Sequence, residues 1–229
     1  MGNTQARSGR KRKIAAIAAG LLVVGVGATY TLASWTDSEW VWGGANGDPG
    51  IGTSTFSVQQ NTTAPYNDGA ANWVDRPNNP GDEMAFTANA LTLSPGTSTF
   101  APVSLRSVTG SVAGTLTLQA AVAAAGTPAP HNDTALWNAV KVGVWTASGS
   151  TRPTCDSATV ATAAWSNVVP AGTALGSESA AAQSLAAASS SAPGIPQHYC
   201  FQITLPTGSP ATLQGLKISP AWQFIATSS

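Results

Sequence analysis

Residues 112–122 decide the fold class, because their sequence VAGTLTLQAAV alternates between apolar and polar side chains. A period of two over this length is typical of a strand in a half-buried antiparallel sheet. We expect the apolar side chains on the inner face and the polar ones on the outer face: Val112, Leu116, Leu118, Ala120 and Val122 inside, and Thr115, Thr117 and Gln119 outside. The stretch therefore predicts an antiparallel sheet with one buried face.

Further strand-like stretches flank this one on both sides. They cover residues 53–60, 85–93, 99–108, 139–145, 199–205 and 216–227, with Pro- and Gly-containing turns between several of them. Residues 61–82 predict a long loop, and an Ala/Ser-rich excursion over 177–191 predicts a short surface helix at 180–188. About seven or eight strands without an internal repeat predict one all-β domain over residues 53–229, an antiparallel two-sheet sandwich of jelly-roll or immunoglobulin-like type.

The first 33 residues have the layout of an export signal. The basic cluster Arg10-Lys11-Arg12-Lys13 precedes an apolar stretch, residues 14–28, which we expect to be helical. We predict a signal peptide over residues 1–33, cut between Ala33 and Ser34 by a signal peptidase, and a flexible N-terminal segment over 34–52. The alternative is an uncleaved anchor, which would attach the protein to a membrane through this signal alone. The apolar stretch is shorter than the ~20 residues of a spanning helix, which favours cleavage.

The charge balance changes at the predicted cleavage point. The chain has ten basic and ten acidic residues, but five of the basic ones precede Ala33 and all the acidic ones follow it. The exported part would therefore be acidic, with only scattered cations. Such a surface does not predict binding to nucleic acid or to anionic lipid.

Both cysteines, Cys155 and Cys200, lie in the part predicted to be exported. An even number of cysteines in an oxidising compartment predicts a disulfide, with two free thiols as the alternative. In the chain-entropy model a bridge over a loop of this length stabilises the fold by roughly 4 kcal/mol.

The sequence predicts no catalytic, cofactor-binding or metal-binding site, and we expect a protein that is not an enzyme. The chain contains neither the HExxH motif of zinc hydrolases nor the GxSxG motif of serine hydrolases. We interpret His131 as a residue of a solvated loop and His198 as a structural residue at the start of a strand. The acidic residues Asp37 and Glu39 do not have enough neighbouring oxygen ligands for a Ca²⁺ site.

The chain has eight tryptophans, which fall into two groups. Three of them, Trp35, Trp40 and Trp42, lie close together just after the predicted cleavage point, where a lone N-terminal segment could not bury them. The other five are Trp73, Trp137, Trp145, Trp165 and Trp222. We expect these five in the core or at the edge of the sandwich, with a sugar-binding platform as the alternative.

The N-terminal region resembles the alternate, SipW-type signal of exported Gram-positive proteins. The resemblance rests on Thr31-Leu32-Ala33 followed by Ser34-Trp35-Thr36-Asp37-Ser38-Glu39. Looser resemblances follow at residues 53–58, 91–96, 213–215 and 222–228. The chain is similar to the actinobacterial alternate signal-mediated exported proteins and more distantly to the TasA/camelysin biofilm-matrix proteins. The disulfide and the Ala/Ser-rich stretch depart from TasA.

The TasA resemblance implies a jelly-roll subunit that forms extracellular fibres by donating its N-terminal segment to a neighbour's sheet. Strand donation satisfies the free N–H and C=O groups of an exposed sheet edge. The donor would lie within residues 34–60, with apolar anchors at Trp35, Trp40, Val41, Trp42, Phe56 and Val58. Alternatively, the segment containing Trp35 and Trp42 serves the signal peptidase or folds back onto its own domain.

We therefore expect a secreted or cell-surface structural protein, a possible biofilm-matrix or fibre subunit whose partners are copies of itself. The second hypothesis is a surface adhesin or glycan-binding sandwich that uses exposed tryptophans. A camelysin-like protease is a third and weaker hypothesis.

Overall fold

The computed structural model describes residues 38–40, 44–45, 48–49, 53–87, 90–126, 132–177 and 181–229. The chain divides into two units, Met1–Gly52 and Thr53–Ser229. In the first unit, strand β1 (Gly44–Ala45) pairs antiparallel with strand β2 (Asp48–Pro49). The predicted signal helix and cleavage site lie outside the described residues, so they stay predictions, as does the flexible segment 34–52.

The second unit is built almost entirely from β-strands. Its strands are β3 (Val58–Asn61), β4 (Ser98–Ser107), β5 (Gly114–Leu118), β6 (Val122–Ala123), β7 (Lys141–Ser148), β8 (Ser166–Ala174), β9 (Gln183–Leu185), β10 (Gln197–Thr204), β11 (Pro220–Ala221) and β12 (Phe224–Ser228). One short α-helix, α1 (Thr134–Ala139), precedes β7, and single 3-10 turns occur at Ala70–Asn72, Ala90–Thr92 and Ala211–Leu213.

Two antiparallel sheets face each other across the core. The larger has the strand order β3-β4-β10-β7-β8 and the smaller the order β12-β5-β9, while β6 and β11 form a separate pair. All strand pairs are antiparallel. The core between the sheets includes Val103, Leu105, Leu116, Leu118, Val142, Val144, Leu185, Tyr199, Phe201 and Ile203. The predicted all-β antiparallel sandwich is confirmed.

The alternation that predicted the fold is present in β5. Leu116 and Leu118 are buried, whereas Thr115 and Thr117, which alternate with them, are half-buried. The prediction for Val122 is wrong, because this side chain is 52% exposed. Strand β5 ends at Leu118, and the chain then changes partner to pair with β11, so the phase of the alternation does not continue past that point.

The larger sheet is covered on both faces, which the sequence did not predict. In its central strand β10, Tyr199 and Phe201 point into the inter-sheet core, and His198 and Cys200 point to the opposite, outer face. All four are at most 1% exposed. Residues 61–76 and 152–165 cover the outer face. These segments contribute to one polar cluster and one apolar cluster, which are described below.

Three local predictions are corrected by the structure. The Ala/Ser-rich stretch forms strand β9 rather than a helix, because Leu185 is buried and its strand pairs with β5. Residues 85–87 and 90–93 contain no strand but include a 3-10 turn. Strand β8 was not predicted, and the loop around Asp133 starts helix α1, whose first amide groups donate to the Asp133 carboxylate.

Candidate functional site

A large cleft lies between the two sheets on the side of β3 and β12. Its volume is about 1870 Å³. The inner faces of β4 and β10 contribute Leu105 and Phe201, the smaller sheet contributes Leu116 and Phe224, and the segment of residues 75–87 supplies a further wall. Because the side chains that these two inner sheet faces contribute are apolar, the cleft favours apolar side chains over polar solutes.

Strand β12 runs along this cleft as an edge strand. It pairs with β5 on one side, and among the described residues no strand pairs with its other side. Gln223 accepts from Gln119, and Ser229 donates to Ala113, so the alternating ladder directs the backbone groups of Phe224, Ala226 and Ser228 away from β5. An edge of this kind is able to accept a further strand.

The edge of β12 lacks the features that usually protect such edges. The strand has the sequence FIATS, without a charged residue or proline, and Ile225 on its outer face is 45% exposed. Natural sheets commonly use Lys, Pro or a bulge at exposed edges to prevent pairing with other chains. The lack of charge and proline in residues 224–228 is visible in the sequence, but the position of β12 at an edge depends on strand pairing and is not.

The second noteworthy site is a buried Ser–His pair on the outer face of the larger sheet. The Ser104 Oγ atom lies 2.8 Å from His198 Nδ1, and His198 Nε2 lies 2.8 Å from the carbonyl oxygen of Gly149. Since a carbonyl oxygen only accepts, Nε2 carries the proton, and Nδ1 accepts from the Ser104 hydroxyl. Burial, as the largest cause, lowers the pKa of His198 to about 4, so the ring is neutral at pH 7.

Ser104 and His198 have the mutual geometry of a nucleophile and its base, but both side chains are fully buried. The hydroxyl therefore has no face on which a substrate could approach. The pair links neighbouring strands β4 and β10, and the interpretation of His198 as a structural residue agrees with this geometry.

Arg152 and Tyr66 contact this pair, and Arg106 and Trp73 lie on the same face of the sheet. The Arg152 guanidinium donates to Ser104 Oγ and to the carbonyl of Thr63, and it lies 4.9 Å from the centre of the Tyr66 ring. Arg106 lies 4.1 Å from the centre of the Trp73 ring. Burial lowers the pKa of both arginines and raises the pKa of Tyr66 to about 12. These contacts attach residues 61–76 to the outer face of the sheet.

Asp68 completes the polar cluster. Its carboxylate accepts from Trp73 Nε1 at 2.9 Å and from the Tyr66 hydroxyl at 3.0 Å, and it lies 3.7 Å from Arg106. Trp73 is only 4% exposed. Its ring is therefore packed under an arginine rather than presented to solvent, which removes it as a sugar-binding platform.

The structure contains the predicted disulfide between Cys155 and Cys200. Cys200 is fully buried and packs with Phe100 and Trp165, and Trp145 contacts the same cluster. A disulfide that is enclosed in this way indicates an oxidising compartment. The bridge fixes residues 152–165 to the central strand of the larger sheet.

The residues singled out in the N-terminal segment are only partly described. Trp40 is 94% exposed, whereas Ala33, Ser34, Trp35, Val41 and Trp42 lie outside the described residues, as does His131. Phe56 and Val58 pack against the core of their own unit, so the structure corrects the expectation that they are free donor anchors.

In the described ranges, no three His, Cys, Asp or Glu side chains come close enough together to bind a metal ion. None of the helices in these ranges has the length and apolar character of a membrane-spanning segment. Comparison with protein-family models, with curated proteins and with solved structures finds no match for this chain.

Proposed function

We propose that the protein is a secreted or cell-surface structural subunit, and that residues 34–52 of one copy insert into the cleft of the next copy beside β12. The observation that carries the proposal is the coincidence of an apolar cleft with a free, unprotected strand edge. A jelly-roll or immunoglobulin-like topology and a SipW-type signal, as in matrix-forming relatives of TasA, belong to the same proposal.

The cleft and the edge are complementary to an added strand in two ways. The outward backbone groups of β12 offer a ladder of hydrogen bonds, each worth about 0.5–1.5 kcal/mol net. The walls offer apolar contacts for alternate side chains, each worth about 1.5–3 kcal/mol when fully buried. Together these contributions are large enough to hold subunits in a chain, even after the cost of ordering the donor.

The donor is restricted to residues before Thr53, because Phe56 and Val58 already pack in their own core. Residues 34–43, which precede the β1–β2 pair, span up to about 35 Å when extended, and β12 has only five residues. One donor therefore has the length to pair along the whole edge and still connect two subunits. Trp40, at 94% exposure, is the described apolar side chain of this segment that such an insertion would bury.

Deletion of residues 34–42 tests the proposal directly. We expect the chain that begins at Ser34 to form fibres by electron microscopy and large particles by light scattering, and the deletion variant to stay monomeric with unchanged melting temperature. Ile195→Ala is the matched control, since Ile195 is exposed (57%) but does not line the cleft. A monomeric parent chain, or fibres from the deletion variant, would refute strand donation by this segment.

A further inference from the structure

The segment of residues 75–87, which we call the strap, crosses from the larger sheet to the β6–β11 pair and back. At its start, Val74 exchanges two backbone hydrogen bonds with Gln60 of β3. In its middle, the Asn79 side chain binds the β6 region. At its end, the Thr87 amide donates to the Phe100 carbonyl of β4 at 2.8 Å. The strap therefore connects both sides of the cleft.

The second half of the strap has the side-chain pattern of an inserted strand. Met84 and Phe86 are half-buried and pack against the inter-sheet core, whereas Glu83, Ala85 and Thr87 are exposed. Alternate side chains thus enter the cleft from one extended segment. These two apolar side chains occupy space of the kind that a donor strand would fill.

The strap does not make the backbone hydrogen bonds that a strand would make. Within the described residues, the backbone groups of residues 83–86 have no hydrogen bond to any strand. The edge of β12 is unpaired although the strap lies in the same cleft. The strap therefore buries side chains in the cleft but forms no backbone hydrogen bonds with the edge of β12. A donor strand that does both would bind more strongly.

The Asn79 side chain is the contact that holds the middle of the strap. Its Nδ2 donates to the Ala123 carbonyl oxygen at 3.1 Å, and its Oδ1 accepts from the Ala125 amide at 2.8 Å. Both bonds are exposed to solvent, so their net contribution is modest. The next residues contain Gly81 with φ +78°, a left-handed conformation that allows the chain to turn into the cleft.

We infer that residues 82–87 are an internal plug of the acceptor cleft, that Asn79 latches this plug, and that an incoming donor strand displaces it. This inference rests on the proposed function, since the donor is residues 34–52 of a second copy. Met84 and Phe86 mark the positions in the cleft that donor side chains take over. The plug lowers the rate at which a freshly exported subunit accepts a donor, because Met84 and Phe86 must leave the inter-sheet core before donor side chains take their places.

The first experiment opens the latch with Asn79→Ala and uses Asn78→Ala as the matched control. Asn78 is exposed, and its side chain makes no hydrogen bond to any of the described residues. In the full exported chain we expect Asn79→Ala to shorten the lag of fibre formation several-fold and to raise hydrogen exchange at the Ala125 amide. The Asn78→Ala variant should match the parent in both measurements.

A second pair of variants covers the case in which Asn79→Ala loosens the whole fold. Met84→Ser weakens the plug itself, and Ala85→Ser changes the neighbouring exposed position. We expect a shorter lag for Met84→Ser only, at an unchanged length of the final fibres.

The results separate the plug from strand donation. If Ala125 exchanges faster while the lag is unchanged in both Asn79→Ala and Met84→Ser, the plug is refuted, and strand donation stands. If the parent chain does not assemble, the proposed function fails. Assembly of Met84→Ser and Asn79→Ala that persists after deletion of residues 34–42 would refute strand donation by residues 34–52, and with it the displacement of the plug by that donor, because the open cleft would then take another occupant.

Discussion

The Ser104 hydroxyl donates to His198 Nδ1 over 2.8 Å in a fully buried position between strands β4 and β10. The two residues are 94 positions apart in the chain. A serine and a histidine in this arrangement would suggest catalysis at a surface, but here the pair joins two strands beneath Tyr66 and Arg152. We therefore expect the pair to affect the stability of the fold.

The neutral His198 ring makes stability dependent on pH. Burial lowers its pKa from 6.5 to about 4, so the unfolded chain binds a proton at a pH where the folded chain does not. This contribution to stability is complete above about pH 6.5 and is lost as the pH falls towards 4, by roughly 2–3 kcal/mol. Urea unfolding at pH 7, 5 and 4 should show this loss in the parent chain. His198→Gln should flatten this part of the profile; a His198→Gln profile that falls as steeply as that of the parent would contradict the assignment.

Loss of the disulfide should destabilise the fold without changing its assembly surface. The bridge joins positions 45 residues apart and fixes the segment with Trp165 to the central strand. We expect Cys155→Ser/Cys200→Ala to lower the free energy of unfolding by about 2–4 kcal/mol. Calorimetry under non-reducing conditions measures this loss of unfolding free energy in the double variant, and the reduced parent chain serves as a comparison. A melting temperature equal to that of the oxidised parent would show that the bridge contributes nothing.

Gly114 should not tolerate a side chain. A Cβ at this position would lie 2.4 Å from the Thr227 carbonyl oxygen and 2.8 Å from the Phe56 ring, so β12 or Phe56 would have to move. We expect Gly114→Ala to cost about 1–3 kcal/mol in chemical denaturation, as other overpacked sites do. Gly176→Ala is the matched control, because a Cβ there meets no atom within 4 Å. Similar stabilities of the two variants would mean that β12 is not held this closely against β5.

A charge on the free edge should block assembly. The Ile225 side chain is 45% exposed on β12, so Ile225→Lys adds a protecting charge with little loss of core packing. We expect monomers by light scattering, at a melting temperature within a few degrees of the parent. Thr115→Lys on the neighbouring, fully paired strand is the control that should still assemble. Normal fibres from Ile225→Lys would exclude the edge of β12 as the acceptor.

The class of the fold was predictable because strand patterning is local. The alternation around Leu116 and Leu118 is a property of neighbouring residues, and it is sufficient to identify a half-buried strand. The alternation does not show where the strand ends. For this reason Val122, which lies beyond the end of β5, was predicted on the wrong face. The short, apolar-poor β9 was missed for a related reason, since Ala favours a helix locally and only pairing with β5 overrides that preference.

The sequence by itself determined that this is an antiparallel β protein, that its two cysteines are able to pair, and that tryptophans cluster before residue 53. The tertiary structure decided which face each strand buries, that His198 is enclosed with Ser104 and Arg152, and that β12 is a free edge beside a cleft crossed by Met84 and Phe86. The physical reason is that the first set depends on composition and on side-chain periodicity along a few residues. The second set depends on contacts between segments that are distant in the chain, and such contacts form only when the whole sandwich is assembled.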